Sequence, residues 1–372
     1  LDDRPTAATI HLGAIRANHA ELARRAAGRE LIAVVKADAY GHGAAPVARA
    51  LVAAGCRRLA VATVAEAVAL RAAGIRAELL VLGGVHDAAP AALEAGLTPV
   101  VHHLGDVERL RKAAVAAPGA IPVHVELDTG MRRMGAAPDE ALPLLEAVAR
   151  EPALRLAGVY THLARADEPD PAPTLEQAAR MRELLARARE RGIEPGLVHC
   201  ANSAGLLLGD ALAAALPEAG AVRPGLALYG VRPAPQLAAE LRPAMTLRTR
   251  VVSLRVARAG EAVGYNALYR APRRTRIATL AIGYADGIPV AASGRGVALI
   301  RGRRCPFAGR VSMDFVGVDV GEGPAELGDE AILFGPSEQG TLLVEEAAAA
   351  AGTMAYEMLV RVGPRVPRVH AD

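Results

Sequence analysis

At 372 residues, with 52% hydrophobic and 22% charged side chains, the chain is long enough for two domains and too apolar to be disordered. Its net charge of +3 is small for that length, and the arginines are spread along it with no aromatic interleaving. That pattern argues against a nucleic-acid partner.

Residues 1–9 lack a basic stretch followed by an apolar run, so no signal peptide is expected. No apolar run reaches the roughly 18 residues that span a bilayer. Cys56, Cys200 and Cys305 form an odd, widely spaced set without a CxxC, which suits free thiols in a reducing compartment and leaves room for one bridge at most. A cytoplasmic protein that binds no membrane is the expectation.

Between residues 30 and 230, short apolar runs alternate with helical patterns. The runs fall at 31–36, 59–63, 79–83, 98–102, 121–127, 156–162, 197–200 and 221–223. In 178–190, Met181, Leu184, Leu185 and Ala188 share one helical face. Eight strands with helices between them predict an α/β fold, a (β/α)8 TIM barrel, since parallel strands need crossovers. A doubly wound open sheet is the alternative, weakened because no GxGxxG follows the first strand.

Pro233, Pro235 and Pro243 mark a boundary in 232–243. Beyond it Val252, Leu254 and Val256 alternate with polar or small residues, the period of a half-buried strand. Further strand-like runs lie at 276–283, 297–301, 311–320 and 330–334. The reading is therefore a barrel over 1–235 and a mainly β domain over 236–372.

Barrel enzymes carry their reactive groups where strands end. Lys36 closes the first strong strand, where partial desolvation makes a neutral amine accessible for Schiff-base chemistry. Its setting, VVKADAYGHG (34–43), resembles the lysine motif of the alanine racemases, enzymes of pyridoxal phosphate (PLP) of fold-type III. Matching blocks continue in order: LDTGMRR (127–133), Thr161 with His162, His199 with Asn202 and Ser203, and VRPGLALYG (222–230). Gly264 with Tyr265, IGYADG (282–287), GRVSMD (309–314) and RVPR (365–368) follow.

The resemblance implies that Lys36 holds PLP and serves as one base, and that Tyr265 serves as the other on the opposite face of alanine. It implies that Tyr40, Ser203 and the N–H groups of Gly225 and Leu226 hold the phosphate and that His162 packs on the pyridine ring. Arg223 would donate to the pyridine nitrogen. Arginine cannot accept a proton there, so the carbanion stays short-lived and simple reprotonation is favoured over transamination. A phenol with an ordinary pKa near 10 needs help to act as a base, and His199 is the implied partner of Tyr265, with Arg223 behind it. Arg133 would hold the substrate carboxylate or the Tyr265 side chain, and Met313 would contact substrate; Tyr284, Asp167 and Arg310 would line the entrance, with Asp314 as a supporting residue. Tyr265 and Met313 would reach the site of a second subunit, which implies a homodimer with shared active sites. No metal is expected.

The chain departs from the family pattern at three places. Glu126 stands where many relatives have a carbamylated lysine, so a permanent anion there is expected to position Arg133. Pro364 replaces a phosphate-touching tyrosine, and Val290 an entrance arginine. Rival readings are a broad-specificity or serine racemase, a PLP decarboxylase, and a non-catalytic PLP carrier. A decarboxylase would need a reactive cysteine near the site, which the setting of Cys305 does not offer. A metal hydrolase would need clustered ligands, and the ten histidines are scattered.

Overall fold

The computed structural model describes residues 4–116 and 119–372. Strand β1 (Ala7–His11) and a helix (Leu12–Ala26) precede the barrel. Its strands are β2 (Glu30–Val34), β3 (Arg58–Val61), β4 (Glu78–Val81), β5 (Thr98–Val101), β6 (Ile121–Glu126), β7 (Leu154–Tyr160), β8 (Leu197–His199) and β9 (Ala221–Val222). Each pairs in parallel with the next, and β9 closes on β2 with Glu30 opposite Ala221. The open-sheet alternative is thereby set aside.

The strands are short and apolar on both faces, as expected when helices cover the outside and side chains fill the inside. Ile32, Ala33, Leu59, Val61, Leu79, Val81, Val100, Val123 and Val125 are fully or almost fully buried. All eight sequence runs coincide with strands, yet each strand stops one or two residues before its run does. Lys36, His102, Thr161, His162, Cys200 and Arg223 thus lie just past strand ends, where the backbone leaves the ladder. Those are the positions from which a barrel presents chemistry.

The β-rich part forms a second compact unit. It comprises the described residues up to Ala14, Tyr40–Gly43 and Arg242–Asp372, while Ile15–Ala39 and Ala44–Leu241 form the barrel unit. The break at Leu241 falls inside the proline-bearing segment. Its spine is β10 (Met245–Ala257), a 13-residue strand with an irregular register between Val251 and Ser253. The first half of β10 pairs antiparallel with β1, and its second half with β13 (Thr275–Leu280). Also in this unit are β11 (Ala262–Val263), β12 (Tyr269–Arg270), β14 (Val297–Ile300), β15 (Arg303–Pro306), β16 (Val316–Gly321), β17 (Glu330–Ser337), β18 (Gly340–Leu342) and β19 (Arg368–Ala371). β1 lies between β10 and β19, so the N-terminal strand joins this sheet.

The run expected at 311–320 becomes a strand only from Val316. The N–H of Ser312 bonds the carbonyl of Phe315 (2.9 Å), and this tight turn takes residues 312–315 out of the ladder. No helix among the described residues is long and apolar enough to cross a membrane. All three cysteines are free and buried.

Gly158 shows how closely the barrel is packed. A Cβ there would lie 2.5 Å from the His124 ring and 2.7 Å from the Leu197 carbonyl oxygen, groups on the two flanking strands. Gly158→Ala is expected to destabilise the fold by about 1–3 kcal/mol, the usual cost of overpacking. A urea midpoint equal to that of the parent would show that these strands yield instead.

Candidate active site

After β2 the chain makes a turn of unusual hand. Ala37, Asp38, Ala39 and Tyr40 all have φ between +51° and +54°, and Gly41 has +80°. Four consecutive non-glycine residues form a left-handed helical turn, with the Ala39 N–H bonded back to the Val35 carbonyl (2.9 Å). Each such residue costs roughly 1–2 kcal/mol, so the surroundings must hold the turn in place. Asp38 Oδ1 accepts from the Ala44 N–H (2.6 Å). Glu66 Oε1 accepts from the Ala37 N–H (2.7 Å).

Lys36 opens this turn, half-buried. Burial lowers its pKa, the Arg133 charge lowers it further, and Glu66 opposes both. The neutral amine is thus more accessible than in water. Tyr40 is buried at the far end, 6.3 Å ring to ring from Tyr356. Burial pushes its pKa up, so the phenol keeps its proton and can donate.

Past β9 lies Arg223, 3% exposed. Its Nη1 donates to His199 Nδ1, and its Nη2 to the carbonyls of Thr161 (2.8 Å) and Cys200 (3.3 Å). His162 Nδ1 stands 3.4 Å from Nη2. The guanidinium also lies 4.4 Å over the Tyr160 ring. Because arginine only donates, His199 Nδ1 must accept, which places the His199 proton on Nε2. That proton is donated to His124 Nδ1 (2.8 Å). Burial, aided by the Arg223 charge, lowers the pKa of His162 to about 3 and holds His199 well below its ordinary value. Burial first, then the charges of Arg58 and Arg223, lowers His124 to about 3. All three rings are neutral.

Beneath Tyr160 is a buried acid. The Tyr160 hydroxyl donates to Glu126 Oε2 (2.9 Å), and His102 Nε2 lies 3.1 Å from the same oxygen. The His102 N–H bonds Asp106 Oδ2 (2.9 Å). Against the penalty of burial, hydrogen bonds to Asp106 and Glu126 raise the His102 pKa to about 9. Burial opposes the ionisation of Glu126, but His102, Tyr160 and Arg223 together hold its pKa below the ordinary value.

Where β8 ends, Asn202 caps the short helix Ser203–Leu207 by accepting from the Gly205 N–H (2.9 Å). Ser203 Oγ accepts from the N–H groups of Gly225 (3.0 Å) and Ala227 (3.2 Å). Leu226 opens the 3-10 turn Leu226–Tyr229 just after Gly225.

Two family models match, the alanine racemase N-terminal domain over residues 10–233 and the alanine racemase C-terminal domain over 244–370. The chain belongs to the alanine racemase family. It is 41% identical to an alanine racemase of Sorangium cellulosum over 99% of this chain and 100% of that one. The solved structure of alanine racemase from Streptomyces coelicolor superposes with a TM-score of 0.92 at 41% identity, covering 100% of this chain and 99% of that one. The Bartonella henselae alanine racemase with covalently bound pyridoxal phosphate superposes at 0.89 with 30% identity over 99% of each chain.

For a member of the alanine racemase family, the barrel unit offers a donor set that fits PLP. It has an amine of lowered pKa, a buried guanidinium with no carboxylate of the described residues against it, and a hydroxyl beside backbone N–H groups at strand and helix ends. Two expected contacts are corrected. His199 cannot partner Tyr265, because both of its ring nitrogens are engaged, with Arg223 and His124. Glu126 does not position Arg133: its carboxylate turns inward to His102 and Tyr160, while Arg133 is exposed. Asp167 is exposed on the barrel unit, and its carbonyl accepts from Gln236 (2.7 Å).

In the β unit, Tyr265 (68% exposed), Met313 and Tyr284 project from adjoining loops. The Tyr284 and Ala285 N–H groups bond the Ser312 and Met313 carbonyls (2.9 and 3.0 Å). A Cβ on Gly309 would lie 2.7 Å from the Val263 carbonyl oxygen, so the Gly309–Arg310 backbone backs the Tyr265 turn. Asp314 pairs with Arg365 (2.6 Å). The organiser of these loops, missed in the sequence, is Asp286. It is fully buried, bound twice by Arg4 (2.7 and 3.0 Å) and once by the Gly283 N–H (2.9 Å). His102, Asp106, His124 and Tyr160 were missed as well, since nothing local distinguishes them from core residues.

The His102 ion pair sets a pH dependence. With its pKa raised above the ordinary 6.5, the stability it contributes is complete below that value and lost as pH climbs through about 9. His102→Gln takes the buried cation away from Glu126, which keeps the Tyr160 hydroxyl, and from Asp106, which keeps Arg109 (3.0 Å), and should cost about 3–5 kcal/mol at neutral pH. It should also flatten the fall in unfolding midpoint between neutral pH and about pH 9. A variant that keeps the full alkaline slope would assign that slope to another group.

Proposed function

We propose that the chain interconverts L- and D-alanine on PLP, with Lys36 and Tyr265 as opposed bases in a homodimer that shares its active sites. When bound, PLP supplies the electron sink that acidifies Cα–H. Residues of the chain do the rest. Lys36 Nζ, its pKa lowered by burial and Arg133, takes or returns the Cα proton on one face. Tyr265 Oη, exposed on a β-unit loop and so available to a second copy, does the same on the other. Met313 accompanies it, and Tyr284 and Arg310 frame the approach.

Arg223 is the observation that carries the reading. A donor-only group, fixed by groups at the ends of β7 and β8, would hydrogen-bond the pyridine nitrogen without protonating it, which favours return of a proton to Cα over further chemistry. Ser203, Gly225, Leu226 and Tyr40 would receive the phosphate, and Arg133 the alanine carboxylate through its forked donors. His162, half-buried with Nδ1 toward Arg223, would pack on the pyridine ring and present Nε2 to the phenol of Tyr265. Three buried free thiols and the lack of an apolar spanning helix among the described residues favour a cytoplasmic location.

The test is proton exchange in deuterated water. L- or D-alanine should return as racemate carrying deuterium at Cα, faster than serine does. Tyr265→Phe should cut turnover by about 10²–10⁴-fold, the worth of a general base, with cofactor still bound, while Lys36→Ala should lose the covalent linkage. Deuterium uptake without inversion would overturn the two-base reading.

A further inference from the structure

We propose that Glu66 is a positioning residue for Lys36: its carboxylate ties the left-handed turn that carries the lysine to the start of the helix following β3. This deepens the reading of Lys36 as the PLP lysine and rests on it.

Glu66 is the third residue of helix Val64–Ala72, where Thr63 is the N-cap and the two form a reciprocal capping box. Thr63 Oγ1 accepts from the Glu66 N–H (3.2 Å), and Glu66 Oε2 accepts from the Thr63 N–H (3.2 Å). Such a box satisfies the helix end by itself. Here the carboxylate does more. Oε2 also takes the Ala62 N–H (2.7 Å), at the end of β3, and Oε1 takes the Ala37 N–H (2.7 Å), directly after Lys36.

The Ala37 bond falls where the backbone is most costly. Ala37 is the first of the four non-glycine residues at positive φ, so it is the residue at which the chain leaves β geometry and reverses hand. An N–H in that conformation points away from the strand ladder and needs an acceptor of its own. A carboxylate is a stronger acceptor than a carbonyl, and at 2.7 Å it fixes the direction of the peptide next to the Lys36 Cα. The same charge acts on the amine itself, opposing the effect of Arg133. Glu66 therefore sets both where the lysine arm starts and how readily its nitrogen holds a proton.

The capping role and the positioning role can be separated. Thr63→Ala breaks the box but leaves the Ala37 bond. Glu66→Gln keeps the length but removes the charge and turns an N–H₂ toward one of the backbone donors. In the PLP-loaded enzyme, Glu66→Gln is expected to weaken cofactor affinity by about 10–100-fold, the scale of one lost hydrogen bond to a charged group. It should also move the pH midpoint of the visible band of lysine-bound cofactor to lower pH. Thr63→Ala should lower the unfolding temperature while leaving affinity and midpoint as in the parent. A change in either readout that is specific to Glu66→Gln supports the proposal. Parent-like values in Glu66→Gln, or equal changes in Thr63→Ala, would reduce Glu66 to a helix cap. Glu66→Asp, which keeps the charge but falls short by one methylene, is read the same way should Glu66→Gln fail to fold. Lys36→Ala is the separate control: a band that survives it refutes Lys36 as the PLP lysine, whatever Glu66 does.

Discussion

Arg223 is buried among groups that accept its hydrogens, and no acid among the described residues neutralises it directly. A guanidinium without a carboxylate is costly to bury. Here the cost is met by carbonyls at two strand ends, by a histidine nitrogen and by the face of Tyr160. One consequence runs outward through the barrel: because Arg223 can only donate, the tautomers of His199 and then His124 follow in turn. Another runs downward, through Tyr160 to Glu126 and its histidinium. The negative charge nearest Arg223 is thus kept one aromatic ring away. The proposed role of Arg223 toward the pyridine nitrogen rests on that separation.

Lys36 illustrates a second kind of constraint. A strand that simply continued would carry its lysine out along the ladder. The left-handed turn instead reverses the backbone within four residues, at a conformational cost that nearby bonds must offset. Glu66 and Asp38 hold its start within the barrel unit. Its end, from Tyr40 to Gly43, belongs to the β unit, where Arg368 donates to the Gly41 carbonyl (3.0 Å) and His370 bonds the His42 carbonyl (2.9 Å). The Gly41 position is closed to any side chain, because a Cβ there would meet the Leu359 carbonyl oxygen at 2.6 Å.

The β unit applies the same economy to its loops. Asp286, wholly buried, is satisfied by Arg4 and by the Gly283 N–H, which fixes the loop bearing Tyr284. That loop in turn holds the Ser312–Met313 turn by backbone bonds. Tyr265 and Met313 are left exposed on a rigid base. The proposed sharing of the site with a second copy needs both side chains held out in this way.

Much of this was legible before any coordinates. Eight apolar runs at barrel spacing fixed the class and placed Lys36, His162 and Arg223 at strand ends, because a buried parallel strand must be apolar and its end is where polarity resumes. The Thr63–Glu66 capping box was not singled out in the sequence, and its extra bond to Ala37 could not be read there. What the residues alone could not decide was how buried polar groups pair. Glu126 faced a choice between Arg133 and the interior, and His199 between Tyr265 and His124. Such choices are made by strand register and side-chain direction across positions 24 to 75 residues apart. Sequence determined which groups the barrel would present; only the packed structure decided which of them are already spent on each other, since a hydrogen bond is settled within about 3 Å and no local pattern reaches that far.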